Sequence, residues 1–538
     1  MSRSRRRSPV ARTVAVLAVA GGLVAACGSG KSVTDAGFDP IDPPEAAPTA
    51  TTPSTTDAPA DGEPVGDDGS PTAADPTVTD AVASTVPAPP TTVTPLADLP
   101  PCPVDALDDA TGPIEVTMWF GLAGDLPGVL EGLAAEYNAS QDAVVVDVQN
   151  QTDYESVVDK FVQFGINERP ELILAPEYVV QSFAQSELFI PVESCIAADE
   201  YPIDSFLPGA LGAYALSGTQ WGMPFNASNP VLYYNRLMFE AAGLDPDDPP
   251  LTFDELRAVS QQLVDSGAAA HGLVVDNARD SGTGGASFEQ WYGRAGVPFA
   301  DNGNGRLAPT SQVFLDDPQA FDILTFMAGL VDSGLAVSVG ENAGGQAGLL
   351  KLADAAAPAA MAIETSAALT TVLAALGGGL IPGLTADDVG VAFMPGPSDS
   401  PGAQIGGGAL WIPAGKSDAE AAAAWDFIRF LASAQTQSTW ADATGYIPVR
   451  ADAVDLDPIA STYVSDPRFR VAYDQLLAVG DEATASRPVI GPQREIRQLV
   501  ADAIARVYAD PAGADITAIL AETDAAADAL IANYNRLN

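Results

Sequence analysis

The chain has 538 residues, of which 71 are acidic and 24 are basic, and its formal net charge is −47. This charge argues against a nucleic-acid partner, which requires a basic surface, and against docking to an anionic bilayer by anything other than a lipid. It fits a solvated protein outside the cell and says nothing about the charge of a ligand, because one buried arginine reverses the field locally.

The N-terminus predicts export and lipid anchoring. Residues 1–26 combine an arginine-rich head with an apolar run that is too short to span a membrane comfortably, which is typical of a signal peptide. The residues LVAAC, ending at Cys27, form a bacterial lipobox in which the cysteine thiol accepts diacylglycerol. The alternative is an ordinary secretory signal with an incidental cysteine. We therefore predict a lipoprotein signal peptide at 1–26 and a membrane anchor at Cys27.

Residues 27–101 are predicted to form a disordered stalk. The segment is rich in Pro, Thr, Ala and Asp and has few large apolar residues, so it cannot bury enough surface to offset the entropy of ordering. Gly28–Ser32 (GSGKS) is not a phosphate loop, because that pattern needs a glycine where the chain has Ala25. The stalk would lift the folded part, 102–538, off the membrane.

Two cysteines follow the anchor, Cys102 and Cys195. An even pair in an oxidising compartment predicts a disulfide, which would tie the end of the stalk to the first folded lobe. Two independent buried thiols are the alternative.

Strands and helices alternate along the folded part, which indicates an α/β architecture with a mainly parallel sheet. In such sheets ligands bind beyond the carboxyl ends of the strands. The predicted strands are Ile114–Phe120, Val144–Val148, Pro170–Ala175, Gly272–Val275, Ala359–Ile363, Val389–Met394 and Ala409–Ile412. The predicted helices are Leu130–Tyr137, Tyr154–Phe164, Phe253–Ser266, Pro318–Ser333, Asp418–Ala432, Gln437–Thr444, Arg470–Val479, Glu495–Ala509 and Asp515–Arg536.

The segment 218–263 is predicted to carry the chain from one lobe to another. A strand at Trp221–Phe225 is followed by a polar turn, Asn226–Pro230, whose proline interrupts a simple strand, and then by a second strand at Val231–Tyr234. Thr252 and Glu255 form a capping box at the start of the next helix, and Ser417 and Glu420 form another for the helix that begins at Asp418.

Four motifs carry a family resemblance: WGMPFNASNPVLYYN in the crossing segment, and IGGGALWIPAGK, TGYIPV and GPQREIRQLV in the C-terminal half. The chain resembles the extracellular solute-binding proteins of ABC importers, most closely the sn-glycerol-3-phosphate- and sugar-binding branch. The resemblance implies a type II periplasmic-binding-protein-like fold, with two α/β lobes around a hinge and a ligand cleft. Lobe one would comprise about 113–226 plus part of 355–412, and lobe two about 231–354 plus most of 413–538.

The function implied by the resemblance is that of a receptor on the outer face of the cytoplasmic membrane. It would close on a carbohydrate or glycerol-phosphate ligand and deliver it to an ABC permease, acting as a monomer held to the membrane only by its lipid. The resemblance implies no cofactor, no metal and no catalytic residue, and the chain has a single histidine for any acid–base scheme. An extracellular polysaccharide-active enzyme and a structural surface lipoprotein are the alternatives.

Carried over position by position, the family's pocket comprises seven residues here: Tyr154, Glu177, Ser228, Ser366, Gly407, Tyr446 and Arg497. Arg497 is expected to recognise phosphate or paired hydroxyls bidentately; the alternative is a surface arginine paired with Glu495 or Asp502. Ser366 is expected to cap a helix that presents amide donors, and the glycines around Gly407 to let the backbone approach a ligand closely.

One departure from the family concerns the loop Asp276–Ser287. Phosphoglycerol binders carry tryptophans here, whereas this loop is rich in Gly, Ser and Ala. Trp291, on the following helix, is the candidate replacement.

Overall fold

The computed structural model describes residues 94–342, 345–379, 383–400, 402–479 and 487–538. All of them belong to one unit, Ser84–Asn538. The predicted signal peptide, Cys27 and most of the predicted stalk lie outside the described residues. Within the described ranges, no helix is both long enough and apolar enough to cross a membrane.

The strands follow the runs of β-branched and aromatic residues. In chain order they are β1 (Ile114–Phe120), β2 (Val144–Asn150), β3 (Leu172–Pro176), β4 (Phe189–Ile190), β5 (Ala215–Leu216), β6 (Thr219–Gln220), β7 (Met223–Ser228), β8 (Pro230–Asn235), β9 (His271–Val275), β10 (Ala336–Ser338), β11 (Ala359–Thr365), β12 (Val389–Phe393) and β13 (Gly406–Pro413).

The α-helices in chain order are α1 (Leu126–Ser140), α2 (Tyr154–Gln163), α3 (Val180–Gln185), α4 (Val192–Ala198), α5 (Pro208–Ala213), α6 (Arg236–Ala241), α7 (Phe253–Asp265), α8 (Gly285–Arg294), α9 (Asp301–Asn304), α10 (Pro318–Asp332), α11 (Gln346–Lys351), α12 (Leu369–Gly377), α13 (Asp418–Leu431), α14 (Ala434–Thr444), α15 (Ile459–Ser465), α16 (Arg468–Leu477), α17 (Gln493–Ala509) and α18 (Ile516–Leu537). Both predicted capping boxes are present, at the starts of α7 and α13.

The strands form two main sheets. The first has the order β2-β1-β3-β13-β4, with β7 also paired to β13, and the second has the order β10-β9-β11-β8-β12. All five residues of β3 are buried, as expected for a sheet that is covered on both faces. Each sheet is mixed rather than mainly parallel as predicted, because the strands flanking the two crossings, β7, β8, β12 and β13, pair antiparallel with their neighbours.

The chain crosses between the sheets more often than the sequence indicated. The crossing predicted in 218–263 is present, at Asn229 between β7 and β8. The second crossing, which we expect between Pro358 and Pro413, is present between β12 and β13. A third, unpredicted crossing separates α15 from α16, since α16 packs against β8 and β12. The predicted polar turn at Asn226–Pro230 is wrong in extent, because Asn226–Ser228 continues β7 by pairing with Gly406–Gly408.

The crossings sort the elements into two groups. We use lobe one for residues 102–228 and 406–465, which contain the first sheet, and lobe two for 230–393 and 468–538, which contain the second. Helices α13 and α14 pack in lobe one, against β1, β13 and α1, and not in lobe two as predicted for most of 413–538. The reason is that β13, which immediately precedes them, is paired in the first sheet. Helices α17 and α18 pack against α8 and α10 in lobe two.

The N-terminal end of the folded part is tied down by a covalent bond. The Sγ atoms of Cys102 and Cys195 are joined in a disulfide, with an S–S distance of 2.04 Å. This bond links residue 102 to α4, and both cysteines are buried.

Candidate ligand cleft

A cavity of about 220 Å³ is lined by residues of both lobes. Lobe one contributes the N-terminus of α2, the turn after β3 and the glycines of β13, and lobe two contributes the loop after β9, helix α8 and the start of α17. The crossing residues Ser228–Pro230 complete the lining. The turns after β3 and β9 are the carboxyl ends of strands, where an α/β sheet places its ligand.

Six of the seven residues predicted from the resemblance line this cavity: Tyr154, Glu177, Ser228, Gly407, Tyr446 and Arg497. Ser366 does not line it. Its N–H donates to the carbonyl of Asn229 (2.9 Å), its Oγ is buried and has no hydrogen-bond partner in the described part of the chain, and the preceding Thr365 lines the cavity instead. The predicted cap is also displaced, because Thr365 accepts the hydrogen bond from the N–H of Ala367 (3.3 Å).

Two tyrosines and an asparagine form a polar cluster on the lobe-one side of the cavity. Nδ2 of Asn226 donates to the hydroxyl of Tyr154 (2.7 Å), and the hydroxyl of Tyr446 lies beside this pair. Burial raises the pKa of Tyr154 well above its ordinary value, and burial likewise raises that of Tyr446. Both side chains are therefore neutral phenols that can donate to or accept from a ligand hydroxyl.

Gly407 is required by the neighbouring strand and not only by a ligand. Its φ is +111°, a conformation that favours glycine, and a Cβ there would lie 1.9 Å from the backbone oxygen of Asn226. A Cβ on Gly408 would lie 2.8 Å from Oδ1 of the same asparagine. The close approach predicted for these glycines therefore already occurs within the protein, between β13 and β7.

Arg497 is paired with three carboxylates of the protein. Its Nε and Nη2 donate side-on to Oε1 and Oε2 of Glu289, both at 2.8 Å. Nη2 also donates to Oε1 of Glu177 (3.1 Å), and Nη1 donates to Oδ1 of Asp280 (3.3 Å). The alternative pairing partners considered from the sequence, Glu495 and Asp502, do not form these contacts. The interaction of Arg497 with Glu177 joins the two lobes.

A second arginine, Arg487, is held by the same carboxylates. Its Nη1 lies 3.1 Å from Oε1 of Glu177, and its Nη2 lies 3.0 Å from Oε2 of Glu289. Burial alone would raise the pKa of Glu289, but Arg497 and Arg487 lower it below its ordinary value. Burial alone would lower the pKa of Arg497, but Glu289 and Glu177 raise it well above its ordinary value. Glu289 and Arg497 therefore stay ionised at neutral pH.

Further ion pairs join the lobes beside the cavity. Glu155 of α2 forms ion pairs with Arg279, whose Nη2 lies 2.8 Å from its Oε1, and with Arg494 of α17. Nη1 of Arg494 also donates to Asp159 (3.1 Å), while Nε of Arg279 donates to Asp280 (2.6 Å). Among the described residues, no group of three or more His, Cys, Asp or Glu side chains is arranged to hold a metal ion.

The comparison with known families settles what kind of protein has this cleft. Residues 132–470 match the family described as bacterial extracellular solute-binding protein, which is more than half of the chain. The chain belongs to this family.

Individual relatives agree with the assignment to the solute-binding family. The chain is 25% identical over 402 residues to the sn-glycerol-3-phosphate-binding periplasmic protein UgpB of Salmonella typhimurium, covering 73% of this chain and 87% of that protein. UgpB of Mycobacterium tuberculosis, solved with glycerophosphocholine, superposes with a TM-score of 0.63 at 21% identity, over 79% of this chain and 99% of that one. The cyclic α-maltosyl-1,6-maltose binding protein of Arthrobacter globiformis gives 0.62 at 22% identity, over 78% and 100%.

The loop Asp276–Ser287 lacks the tryptophans of phosphoglycerol binders, and Trp291 does not take their place. Its side chain is buried in the core of lobe two, where Nε1 donates to the carbonyl of Pro395 (3.1 Å) and the ring packs edge-on against Phe253. Trp291 is absent from the cavity lining, which instead receives Asp280 from the loop.

The sequence analysis did not identify three residues that belong to the ion pairs of the cleft: Asp280, Glu289 and Arg487. A sequence pattern could have identified Glu289, because it is an acidic residue within a run of buried residues, next to Phe288 and close to Trp291. A carboxylate on such a face needs a buried cationic partner. Arg487 and Asp280 lie in loops and carry no comparable local signal.

Proposed function

We propose that this solute-binding protein is the lipid-anchored receptor of an ABC importer, capturing a carbohydrate or glycerol-phosphate-type ligand and delivering it to a membrane permease. The observation that carries the proposal is the cavity, because polar side chains of both lobes converge on it. A ligand that contacts both lobes stabilises the closed arrangement over an open one, which is how hinge closure is driven.

The proposed moving bodies are lobe one and lobe two as defined above; their first boundary lies near the predicted one, whereas residues 413–465 belong to lobe one and not to lobe two as predicted. Three connections join them, and in the first a single residue, Asn229, separates β7 from β8. Its side chain is buried and held by the carbonyl of Ala472 (2.9 Å) and by Gln475 (3.0 Å). We infer that closure occurs by small rotations at these connections, since hinges are a few element-terminal residues.

The proposed ligand chemistry rests on the residues of the cavity and on the names of relatives. Tyr154, Tyr446, Ser228 and the backbone at Gly407 offer neutral donors and acceptors, and Glu177 offers a carboxylate. Such groups suit a polyhydroxyl compound. The names of the relatives refer to glycerol-3-phosphate and to maltose-type sugars, and a ligand of this kind is accordingly proposed here.

The ligand experiment uses the purified full-length chain. Thermal-shift measurements with glycerol-3-phosphate, glycerophosphocholine and a panel of oligosaccharides are expected to give a melting-temperature increase for one class, and chromatography should recover that compound unchanged. Tyr154→Phe, which removes a cavity hydroxyl, should reduce the shift. Tyr463→Phe, a buried tyrosine of α15 outside the cavity, should not. Steady turnover of a glycan would support the polysaccharide-active enzyme instead, and no ligand at all would support the structural lipoprotein.

The proposed anchor is tested separately. Cells grown with an alkyne fatty acid should label the chain, and Cys27→Ala should abolish the label and release the protein from the outer face of the cytoplasmic membrane. If the variant stays at the membrane like the parent, the lipid is not the anchor. Size-exclusion chromatography of the released protein is expected to show a monomer.

A further inference from the structure

The charged groups of the cleft form one connected set, which we name the cleft network. It consists of Glu155, Asp159, Glu177, Arg279, Asp280, Glu289, Arg487, Arg494 and Arg497. The network contains four guanidinium groups and five carboxylates, so its formal net charge is −1. Every arginine in it already has a carboxylate partner.

The hydrogen bonds of Arg497 to protein carboxylates leave few N–H donors for an anionic ligand. A guanidinium has five N–H donors, and Arg497 uses four of them on Glu289, Glu177 and Asp280. The Nε–Nη2 edge, which would otherwise grip a phosphate bidentately, is occupied by Glu289. Glu289 is only 1% exposed, so a ligand that displaced it from Arg497 would take from a buried carboxylate one of its two arginine partners.

Glu177 is held with one oxygen toward the arginines. Both Arg497 and Arg487 contact its Oε1, each at 3.1 Å, and among the described residues no group donates a hydrogen bond to its Oε2. Nε of Arg487 is buried and has no hydrogen-bond partner there either. Glu177 and Arg487 both line the cavity, and a carboxylate beside a guanidinium matches a hydroxyl group, which donates one hydrogen bond and accepts another.

We propose that Glu289 sets the charge specificity of the cleft. It holds Arg497 and Arg487, both arginines hold Glu177 in the cavity lining, and the cleft takes uncharged polyhydroxyl compounds in preference to phosphorylated ones. This inference rests on the proposed receptor function. A phosphate dianion entering a network of net charge −1 would have to displace Glu177 or Asp280 from Arg497, whereas a hydroxyl uses the atoms that are left.

The test is calorimetry on the full-length chain with matched ligand pairs that differ by one phosphate. Suitable pairs are glycerol and glycerol-3-phosphate, glucose and glucose-6-phosphate, and maltose and maltose-1-phosphate. For any pair with measurable binding, the uncharged member is expected to bind at least tenfold more tightly. A phosphorylated member that binds as tightly as its partner, or more tightly, overturns the inference while the receptor function stands. If no compound binds, both fail.

Variants test the individual residues. For each variant the quantity compared is the ratio of the dissociation constant of the phosphorylated ligand to that of its uncharged partner. Asp280→Asn removes one negative charge from the partly exposed side of the network and should reduce the discrimination against phosphate by about tenfold. Asp247→Asn makes the same change in an exposed pair with Arg236 and should leave the ratio unchanged. Glu289→Gln should reduce the ratio further. An unchanged ratio in Asp280→Asn contradicts the proposal, even if Glu289→Gln fails to fold.

Discussion

At the scale of single residues, the environment of a side chain decides its role more than its type does. Arg497 lies in the cavity, where the resemblance placed it, but its guanidinium is engaged by Glu289, Glu177 and Asp280. A buried ion pair is costly to break on one side only, because the remaining charge is left without compensation. Arg497 is therefore a structural member of the cleft as well as a candidate ligand contact.

We expect Arg497→Ala to lower the free energy of unfolding by about 3–5 kcal/mol, since it leaves the buried carboxylate of Glu289 short of a partner. Arg470→Ala, which removes an exposed pair with Asp474 on α16, is the control and should cost about 0–1 kcal/mol. Denaturant unfolding of the two variants and the parent measures both values. Equal losses in the two variants would show that burial of the pair is energetically unimportant.

A second residue-scale prediction concerns pH. Burial, and then the nearby charge of Asp276, raises the pKa of Glu364 to about 8, and burial raises that of Asp276 to about 6. An unfolded glutamate titrates near roughly pH 4.3, so the folded chain binds the proton more tightly. The stabilisation that comes from the tighter protonation of Glu364 in the folded chain is fully present below the unfolded pKa. It is lost as the pH rises toward the folded pKa of about 8. The melting temperature should therefore fall between pH 5 and pH 8.

Glu364→Gln tests the source of this pH dependence, because glutamine carries no charge at any pH. The variant should flatten the decrease in melting temperature from pH 5 to pH 8 and exceed the parent at the alkaline end. Glu341→Gln, a change at an exposed position, is the control and should follow the parent. A parental slope in Glu364→Gln would assign the titration to other groups.

At the scale of elements, the connection between the lobes depends on the pairing of β7 with β13. Asn226–Ser228 and Gly406–Gly408 run antiparallel, with a register shift between Gly408 and Ala409. The backbones approach so closely at Gly407 that no side chain fits there. The same strands supply Ser228 and Gly407 to the cavity, so strand pairing and cavity shape are linked.

Gly407→Ala should weaken both the pairing of β7 with β13 and the binding of a ligand in the cavity. A left-handed φ costs an L residue about 1–3 kcal/mol, and the added Cβ would in addition collide with the carbonyl of Asn226, so the two strands must separate locally. We expect a lower melting temperature and a weaker thermal shift with the best ligand. Gly212→Ala, in α5 with open space around it, should be neutral or stabilising. Parental behaviour of Gly407→Ala in both measurements would contradict this reading of the strand pairing.

At the scale of the whole molecule, ion pairs across the cleft join lobe one to lobe two. Glu155, Asp159 and Glu177 belong to lobe one, and the arginines that contact them belong to lobe two. The outer pairs are partly exposed: the side chain of Arg494 is 34% accessible and that of Asp159 is 52% accessible. Salt screens such pairs more effectively than the buried pairs around Arg497.

We expect the ligand-free protein to expand when the NaCl concentration is raised from 0.05 M to 1 M, as the outer pairs weaken and the lobes separate. Arg494→Gln should show the larger radius of gyration already at low salt. Arg236→Gln, which removes a pair lying within lobe two, should behave like the parent. Small-angle X-ray scattering gives the radii, and a salt-independent radius would mean that the pairs do not hold the lobes together.

The sequence by itself determined the order of the longer strands and of most of the longer helices, the capping boxes of α7 and α13, and the first crossing. Hydrophobic periodicity, caps and turn residues act over a few neighbours, so their effect is visible in the local pattern. The resemblance added the fold, and it identified six residues that do line the cavity. Its phosphate-binding expectation for Arg497 relied on residue type alone.

Only the tertiary structure decided which groups neutralise that arginine. Arg497 is separated along the chain from Glu289 by 208 residues and from Glu177 by 320. No local pattern reports such pairings, because they arise when loops and helices of two lobes meet at one cleft. The placement of α13 and α14 in lobe one was decided in the same way, by the pairing of β13 with β3. The charge of the cleft is thus a property of the assembled lobes, since it depends on which carboxylates converge there.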